Sequence, residues 1–265
     1  MIARLGEATA RLRPLLPAAG VIGVLIAAWE VYARSLEGGS VLLPAPTRIV
    51  SALWSQRDLA IHHTTVTLGE TAVGFGASLL LALGAGLLMD LVPAIRRALY
   101  PLLVGSQTLP ILVVAPILIL WFGFGLLPKV IVIVLLTFFP MVVGLLDGFA
   151  AVPVEASDLL ETYGASRWQA LRTLRWPSAL PSLFTGVRIG VTYAVLGAVY
   201  AEYVGSYDGL GIWILTSQKA FRIDLVFGAV LIVLVVSVIA FGVVVAIERA
   251  AVPWAAAARR ERGTR

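Results

Sequence analysis

Apolar positions in this chain come in long unbroken runs, and the polar residues gather between them. Each run lacks the single polar face of a soluble helix, so the elements it predicts are helices buried on all sides. Six runs approach the roughly 20 residues needed to cross a hydrocarbon core of roughly 30 Å. They lie at about 15–33, 68–89, 98–122, 129–147, 181–203 and 225–247. The clean part of the first is short, with Glu30 near its end, and Arg11 and Arg13 precede it as they would a signal peptide. No small-residue cleavage site follows, so a span is the expectation.

A long polar interruption, residues 148–180, separates the fourth and fifth runs and includes "ETYGASRWQALRTLRWP". It predicts two short helices. Pro153 suits a first turn, Val154 to Tyr163 is helix-compatible, and Gly164 can close the helix in the left-handed conformation. Ser166 followed by Gln169 forms a capping-box pattern for a second helix, which Pro177 should end. At helical spacing Leu160, Tyr163, Trp168, Leu171 and Leu174 line one side, leaving Asp158, Glu161, Arg167, Arg172 and Arg175 more exposed. Such a segment can rest on anionic lipid or dock a soluble partner. Its stiff capping and mixed charge favour docking.

Composition agrees with a membrane protein. The 265 residues are 60% hydrophobic and 13% charged, with a mean hydropathy of +0.96. The absence of cysteine excludes disulfides, zinc thiolates and thiol nucleophiles. With the N-terminus inside, thirteen arginines fall in cytoplasmic segments: Arg4, Arg11, Arg13, Arg96, Arg97, Arg167, Arg172, Arg175, Arg249, Arg259, Arg260, Arg262 and Arg265. Six basic residues fall outside (Arg34, Arg48, Arg57, Lys129, Lys219 and Arg222), and Arg188 lies within a span. The positive-inside rule then places both termini in the cytoplasm, and the net charge of +5 reads as membrane topology, with no nucleic-acid partner. The expected organisation is a cytoplasmic tail (1–14), one transmembrane domain (15–247) with its cytoplasmic loop at 148–180, and a basic tail (248–265).

The segment "DLLETYGASRWQALRTLRWPSALP" resembles the cytoplasmic signature loop of bacterial ABC-importer permeases. Asp158 stands at the acidic position, Gly164 at the glycine, Leu174 at the aliphatic position and Pro177 at the proline. Asp158 replaces the usual glutamate, Leu159 and Leu160 the alanines, and Trp176 the leucine. "LPAPTRIVSAL" at 43–53, "QTLPILVVAPILILWFGFGLLPKV" at 107–130 and "AEYVGSYDGLGIWI" at 201–214 are similar to the nitrate, sulfonate, taurine and thiamine-precursor branch, so the resemblance covers about residues 40–245.

The resemblance implies a type I ABC-importer permease fold in the bacterial cytoplasmic (inner) membrane. It implies a pore-forming subunit that works as a homodimer in membrane lipid with two ABC ATPase subunits and an extracytoplasmic substrate-binding protein. Residues 155–176 would be the coupling helix, with Asp158, Glu161, Gly164, Ala165, Ser166, Arg167, Trp168 and Pro177 as its docking residues. The chain lacks a G-x-x-x-x-G-K-[ST] phosphate loop, so ATP and Mg would belong to the partner ATPase, with no cofactor in this chain. The two states of transport would be biased by the partner's preference for one of them. Gly74, Gly76, Ala77, Gly84 and Gly86 in the second span suit close helix packing.

Pathway candidates are Glu70, Trp121, Phe138, Tyr193, Tyr200 and Glu202. A carboxylate in lipid is costly, so Glu70 is read as an interhelical partner or pathway residue, and Glu202 as a pathway residue or an anchor for the "GSYDGLG" loop. The aromatic residues can stack on a planar ring, or serve with Phe122 and Phe139 as packing and interface anchors. Pro116, Pro128 and Pro140 can free carbonyls within spans. His62 and His63, the only histidines, lack a carboxylate at metal-ligand spacing along the sequence, so no metal is expected.

A membrane-embedded enzyme would need a nucleophile and base at depth, and Ser78 and Ser106 have no evident histidine partner. A secondary transporter would show internal symmetry between its halves, and no inverted repeat is evident. Among substrates of the branch, Glu70 and the aromatic supply point to an aminopyrimidine thiamine precursor or similar heteroaromatic. Nitrate, sulfonate and taurine are the alternatives, but they would want more basic residues than Arg188 in the spans.

Overall fold

The computed structural model describes residues 15–35 and 42–254, and the described residues are helical with no strand. The expected N-terminal tail, 1–14, and residues 255–265 of the expected C-terminal tail, 248–265, lie outside the described residues. Eleven helices follow in order among the described residues: α1 (Leu15–Ser35), α2 (Pro46–Ser55), α3 (Arg57–Leu91), α4 (Pro93–Ser106), α5 (Ile111–Phe122), α6 (Leu126–Ala150), α7 (Val154–Thr162), α8 (Arg167–Ala170), α9 (Trp176–Gly205), α10 (Leu210–Lys219) and α11 (Ile223–Ala251). A five-residue π turn, Leu171–Arg175, joins α8 to α9 without a break. Four stretches are long and apolar enough to cross a membrane: Arg57–Leu91, Leu126–Ala150, Arg167–Gly205 and Ile223–Ala251. At 1.5 Å per residue the 21 residues of α1 add a helix of about 31 Å.

The expected third span is not one helix. It breaks at 107–110, because Pro110 has no backbone donor and its ring drives Leu109 out of the helical region. The 12 residues of α5 reach only about 18 Å. The second span starts earlier than expected, at Arg57, and carries both histidines in its first turns. Lys129, expected outside the membrane, lies within α6 and is buried. The last helix continues through Glu248 to Ala251 rather than giving way to a tail at 248.

The chain divides into two compact units. In the smaller, which includes Ile214–Val230 and the described residues up to Ala60, α1 is tied to the start of α2. Glu30 accepts hydrogen bonds from the Thr47 amide (3.0 Å) and hydroxyl (2.7 Å) and pairs with Arg34 at 2.6 Å. The carboxylate thus satisfies a free amide at a helix N-terminus where negative charge is favoured. Trp29 lies against Phe227, ring centroids 6.0 Å apart.

The larger unit (Ile61–Trp213 with the described residues from Leu231) has its core where α6 and α9 pack along most of their length. Met141, Val142, Leu145 and Leu146 of α6 meet Ala179, Leu183, Val187 and Val191 of α9, joined by Ala82 and Met89 of α3. Two G-x-x-x-G pairs, Gly144/Gly148 and Gly186/Gly190, make that approach possible. A Cβ at Gly186 would collide with the Pro140 carbonyl, and one at Gly144 would stand 2.7 Å from the Ser182 carbonyl. Of the glycines expected to pack, Gly74 and Gly86 do so, against Ile133 and Leu145, whereas Gly76 and Gly84 face open space.

Candidate functional site

The segment between α6 and α9 is built from two strong local stops. After α7 the Ala165 amide returns to the Leu160 carbonyl at 3.0 Å and the Gly164 amide to Glu161 at 2.9 Å, a Schellman closure. Gly164 takes the positive φ (+77°) this requires. Ser166 then caps α8: its hydroxyl accepts the Gln169 amide at 3.3 Å, and the Gln169 side chain accepts the Ser166 amide at 2.7 Å.

Pro177 does not end this second helix. The Trp176 amide reaches back five residues to the Leu171 carbonyl, and this wider π turn makes room for a proline that can neither donate nor tolerate a carbonyl four residues behind it. The aromatic placement also differs from the expected amphipathic pattern. Tyr163 and Trp168 are 81% and 64% exposed, and Val154, Leu159, Asp158, Glu161 and Arg167 are exposed as well. Leu171 is buried, and Ala165, Leu160, Leu174 and Pro177 are half-buried. Burial ends at Leu160 and resumes at Ala165 because the Schellman turn breaks the helical register between the two helices.

Arg175 is not a free surface charge. It pairs with the buried carboxylate of Asp90 in α3 at 2.5 Å and lies 5.6 Å from the Phe149 ring centroid of α6. Beside the pair is a cavity of about 390 Å³, lined in part by Ser157, Glu161 and Arg167.

At the other end of α9 a second group of polar residues converges on the loop 206–209. Glu202, fully buried, accepts the Gly211 amide at 2.8 Å and the Thr67 hydroxyl at 2.7 Å. Thr67 in turn accepts the Leu210 amide at 2.9 Å. His62 lies 3.0 Å from Asp208, and His63 accepts the Gly209 amide through Nδ1 at 3.0 Å while stacking on Trp213. Lys129 donates to Glu70 at 2.5 Å and to Ser206 at 2.7 Å. Three carboxylates, a lysine and two histidines are thereby paired inside or beside the apolar spans, where unpaired groups would be expensive.

His62, His63 and Asp208 bring possible ligand atoms within 4.8 Å of one another, an arrangement absent from the local sequence. Because Nδ1 of His63 accepts the Gly209 amide, the neutral ring carries its proton on Nε2 and offers no lone pair there. The cluster fits a latch on the loop better than a metal cage.

The aromatic candidates are not brought together: among the described residues no ring contact joins them. Trp121 and Tyr193 are exposed, Phe138 packs on the α6/α9 core, and Tyr200 packs against the cluster around Ala115 and Leu118. Arg188 pairs with buried Glu248 at 3.4 Å. Asp90, Thr67 and Asp208 were not singled out by the sequence, since their partners lie 85, 135 and 146 positions away and no local spacing marks them.

A family model described as the binding-protein-dependent transport system inner membrane component matches residues 77–252. The chain is 37% identical over 232 residues to the formylaminopyrimidine transport permease protein ThiX of Halalkalibacterium halodurans, covering 87% of this chain and 92% of that relative. It is 33% identical over 235 residues to the riboflavin transport system permease protein RibX of Chloroflexus aurantiacus, covering 88% of each. With the taurine transport system permease protein TauC of Escherichia coli it shares 26% over 242 residues, covering 89% and 88%. A helical, multi-pass chain matched in this way over most of its length belongs to the binding-protein-dependent inner membrane permeases, the transport subunits of ABC importers.

Proposed function

We propose that two copies of this chain form the pathway of an importer for an aminopyrimidine, handed over by an extracytoplasmic binding protein and driven by ABC ATPase subunits seated on residues 155–176. Both termini and the docking loop lie in the cytoplasm in this reading, as the arginine distribution favours. ATP and Mg are held by the ATPase and not by this chain.

The observation that carries the substrate class is the 37% identity to a formylaminopyrimidine permease over nearly the whole of both chains. Geometry changes one step of the reasoning. Glu70 is not a lone acid that would attract a cation, because Lys129 neutralises it. A neutral heterocycle therefore suits the pair better than a cation or an anion. The docking reading is supported by the exposed Tyr163, Trp168 and Leu159 on a rigidly capped helix pair, large apolar side chains among charged neighbours, of the kind partners bury.

The test is co-expression with the cognate ATPase and binding protein. The native chain is expected to retain the ATPase through purification and to take up formylaminopyrimidine in proteoliposomes with ATP. Gly164→Trp, which forces a bulky side chain onto a positive-φ position between the two helices, is expected to lose the ATPase. Retention by the variant would remove the docking assignment, and uptake of taurine or nitrate with no uptake of the pyrimidine would remove the substrate assignment.

A further inference from the structure

A cavity of about 280 Å³ opens beside the loop 205–208, between it and the start of α6. Its floor carries Glu70 and Lys129, each more than nine-tenths buried, and its rim carries the exposed rings of Phe124 and Tyr207, centroids 5.7 Å apart. Lys129 directs two of its three N–H groups to Glu70 Oε1 and Ser206. Glu70 Oε2 is buried and has no hydrogen-bond partner among the described residues. A buried carboxylate oxygen without a donor is costly, and a bound group that supplies one recovers that cost.

We infer that this cavity is a binding site for a neutral planar heterocycle that carries an amino group next to a ring nitrogen. The floor offers a donor beside an acceptor: the third N–H of Lys129 and Oε2 of Glu70. An aminopyrimidine edge presents the complementary pair, a ring nitrogen that accepts and an exocyclic amine that donates. Its flat face meets Phe124 and Tyr207 at the mouth, where stacking on aromatic rings requires no particular charge. The ion pair beneath has no net charge to attract an anion, and a sulfonate would bring only acceptors to an oxygen that lacks a donor. None of the ring residues proposed from the sequence as pathway contacts lines this cavity; of those candidates it uses Glu70 alone.

The inference rests on the aminopyrimidine reading above, and its test separates the two. The full permease–ATPase complex in nanodiscs, without the binding protein, is titrated with radiolabelled formylaminopyrimidine by scintillation proximity. Saturable binding is expected, undiminished by excess taurine. Glu70→Gln, which replaces the acceptor with a donor, and Tyr207→Ala, at a side chain exposed enough for folding to be indifferent to it, should each weaken binding at least about tenfold. Binding by the native complex that neither variant weakens overturns the site and leaves the substrate reading in place. Uptake of formylaminopyrimidine by the complete importer with no binding to the nanodisc complex overturns the site as well. A complete importer that takes up no formylaminopyrimidine overturns both.

Discussion

Arg175 Nη2 lies 2.5 Å from Asp90 Oδ1 although the two residues stand 85 positions apart, and the same guanidinium sits over the Phe149 ring. One side chain thus ties the π turn, the end of α3 and the end of α6 together. The Asp90 side chain is only 4% exposed, so its charge depends on this partner.

Arg175→Ala should therefore destabilise the chain more than loss of a surface pair would. Removing one partner of a buried pair costs on the order of 3 kcal/mol, against under about 1 kcal/mol for an exposed one. Asp90→Asn combined with Arg175→Gln removes both charges and should recover much of the loss. Thermal unfolding of the detergent-solubilised single and double variants checks this. Equal shifts for Arg175→Ala and for Arg172→Ala, an exposed neighbour, would show that the pair carries no special weight.

Glu202 leads to a second prediction. Its carboxylate takes hydrogen bonds from Gly211 and Thr67, and the chain comes so close that a Cβ on Gly209 would overlap it. Glu202→Leu removes both acceptor oxygens, so the buried Gly211 amide loses its partner, whereas the Thr67 hydroxyl can still donate to the His63 carbonyl at 3.1 Å. A cost of about 1–3 kcal/mol follows from leaving that buried amide unsatisfied. Hydrogen exchange at 206–211 should accelerate correspondingly, while exchange in the α6/α9 core stays slow. Native-like protection of the loop in the variant would contradict the anchoring role.

What the sequence revealed and what it hid follow from range. The Ser166/Gln169 capping box and the left-handed Gly164 are set by neighbours within four residues, and the structure has both. The apolar runs locate most spans for the same reason. The break at 107–110 has a local signal in Pro110, and the G-x-x-x-G pairs of α6 and α9 are likewise written in the sequence. Glu70 was readable as a residue in need of a partner, yet its partner Lys129 is 59 positions away. The same holds for Asp90, and for the loop latch formed by His62 and Asp208. Pairing across helices is decided by packing, which no spacing in one sequence records.

The glycine seam allows a contrast within one residue type. Gly186→Ala sets a methyl group against the Pro140 backbone, which cannot rotate away, so overpacking should cost about 1–3 kcal/mol and part α6 from α9. Gly76→Ala meets nothing within 4 Å and replaces a poor helix former inside α3. It should be neutral or stabilise by up to about 1 kcal/mol. Melting temperatures of the two variants in one detergent decide the matter, and a similar drop in both would mean that the α6/α9 approach is looser than the structure has it.

The π turn fixes the direction in which the proposed docking surface faces. Between α8 and α9 the chain carries one residue more than an α-helix would use for the turn, so the segment before Leu171 is rotated relative to the span after it. Deleting Thr173 would let the turn close as α-helix, rotating Trp168 and the preceding α7 by about 100° about the axis. Arg175 and Asp90 lie on the span side of the deletion and keep their pairing. The shortened chain should insert but melt below the native chain, because Leu171 leaves the core and Pro177 meets the carbonyl four residues behind it. If the aromatic side chains are the docking surface, it should also retain the co-expressed ATPase at least about tenfold less well. Thr173→Ala preserves the length and should retain the ATPase normally. If the deletion and the substitution both retained it, the orientation of these side chains would be immaterial, and the exposed Tyr163 and Trp168 would need another explanation.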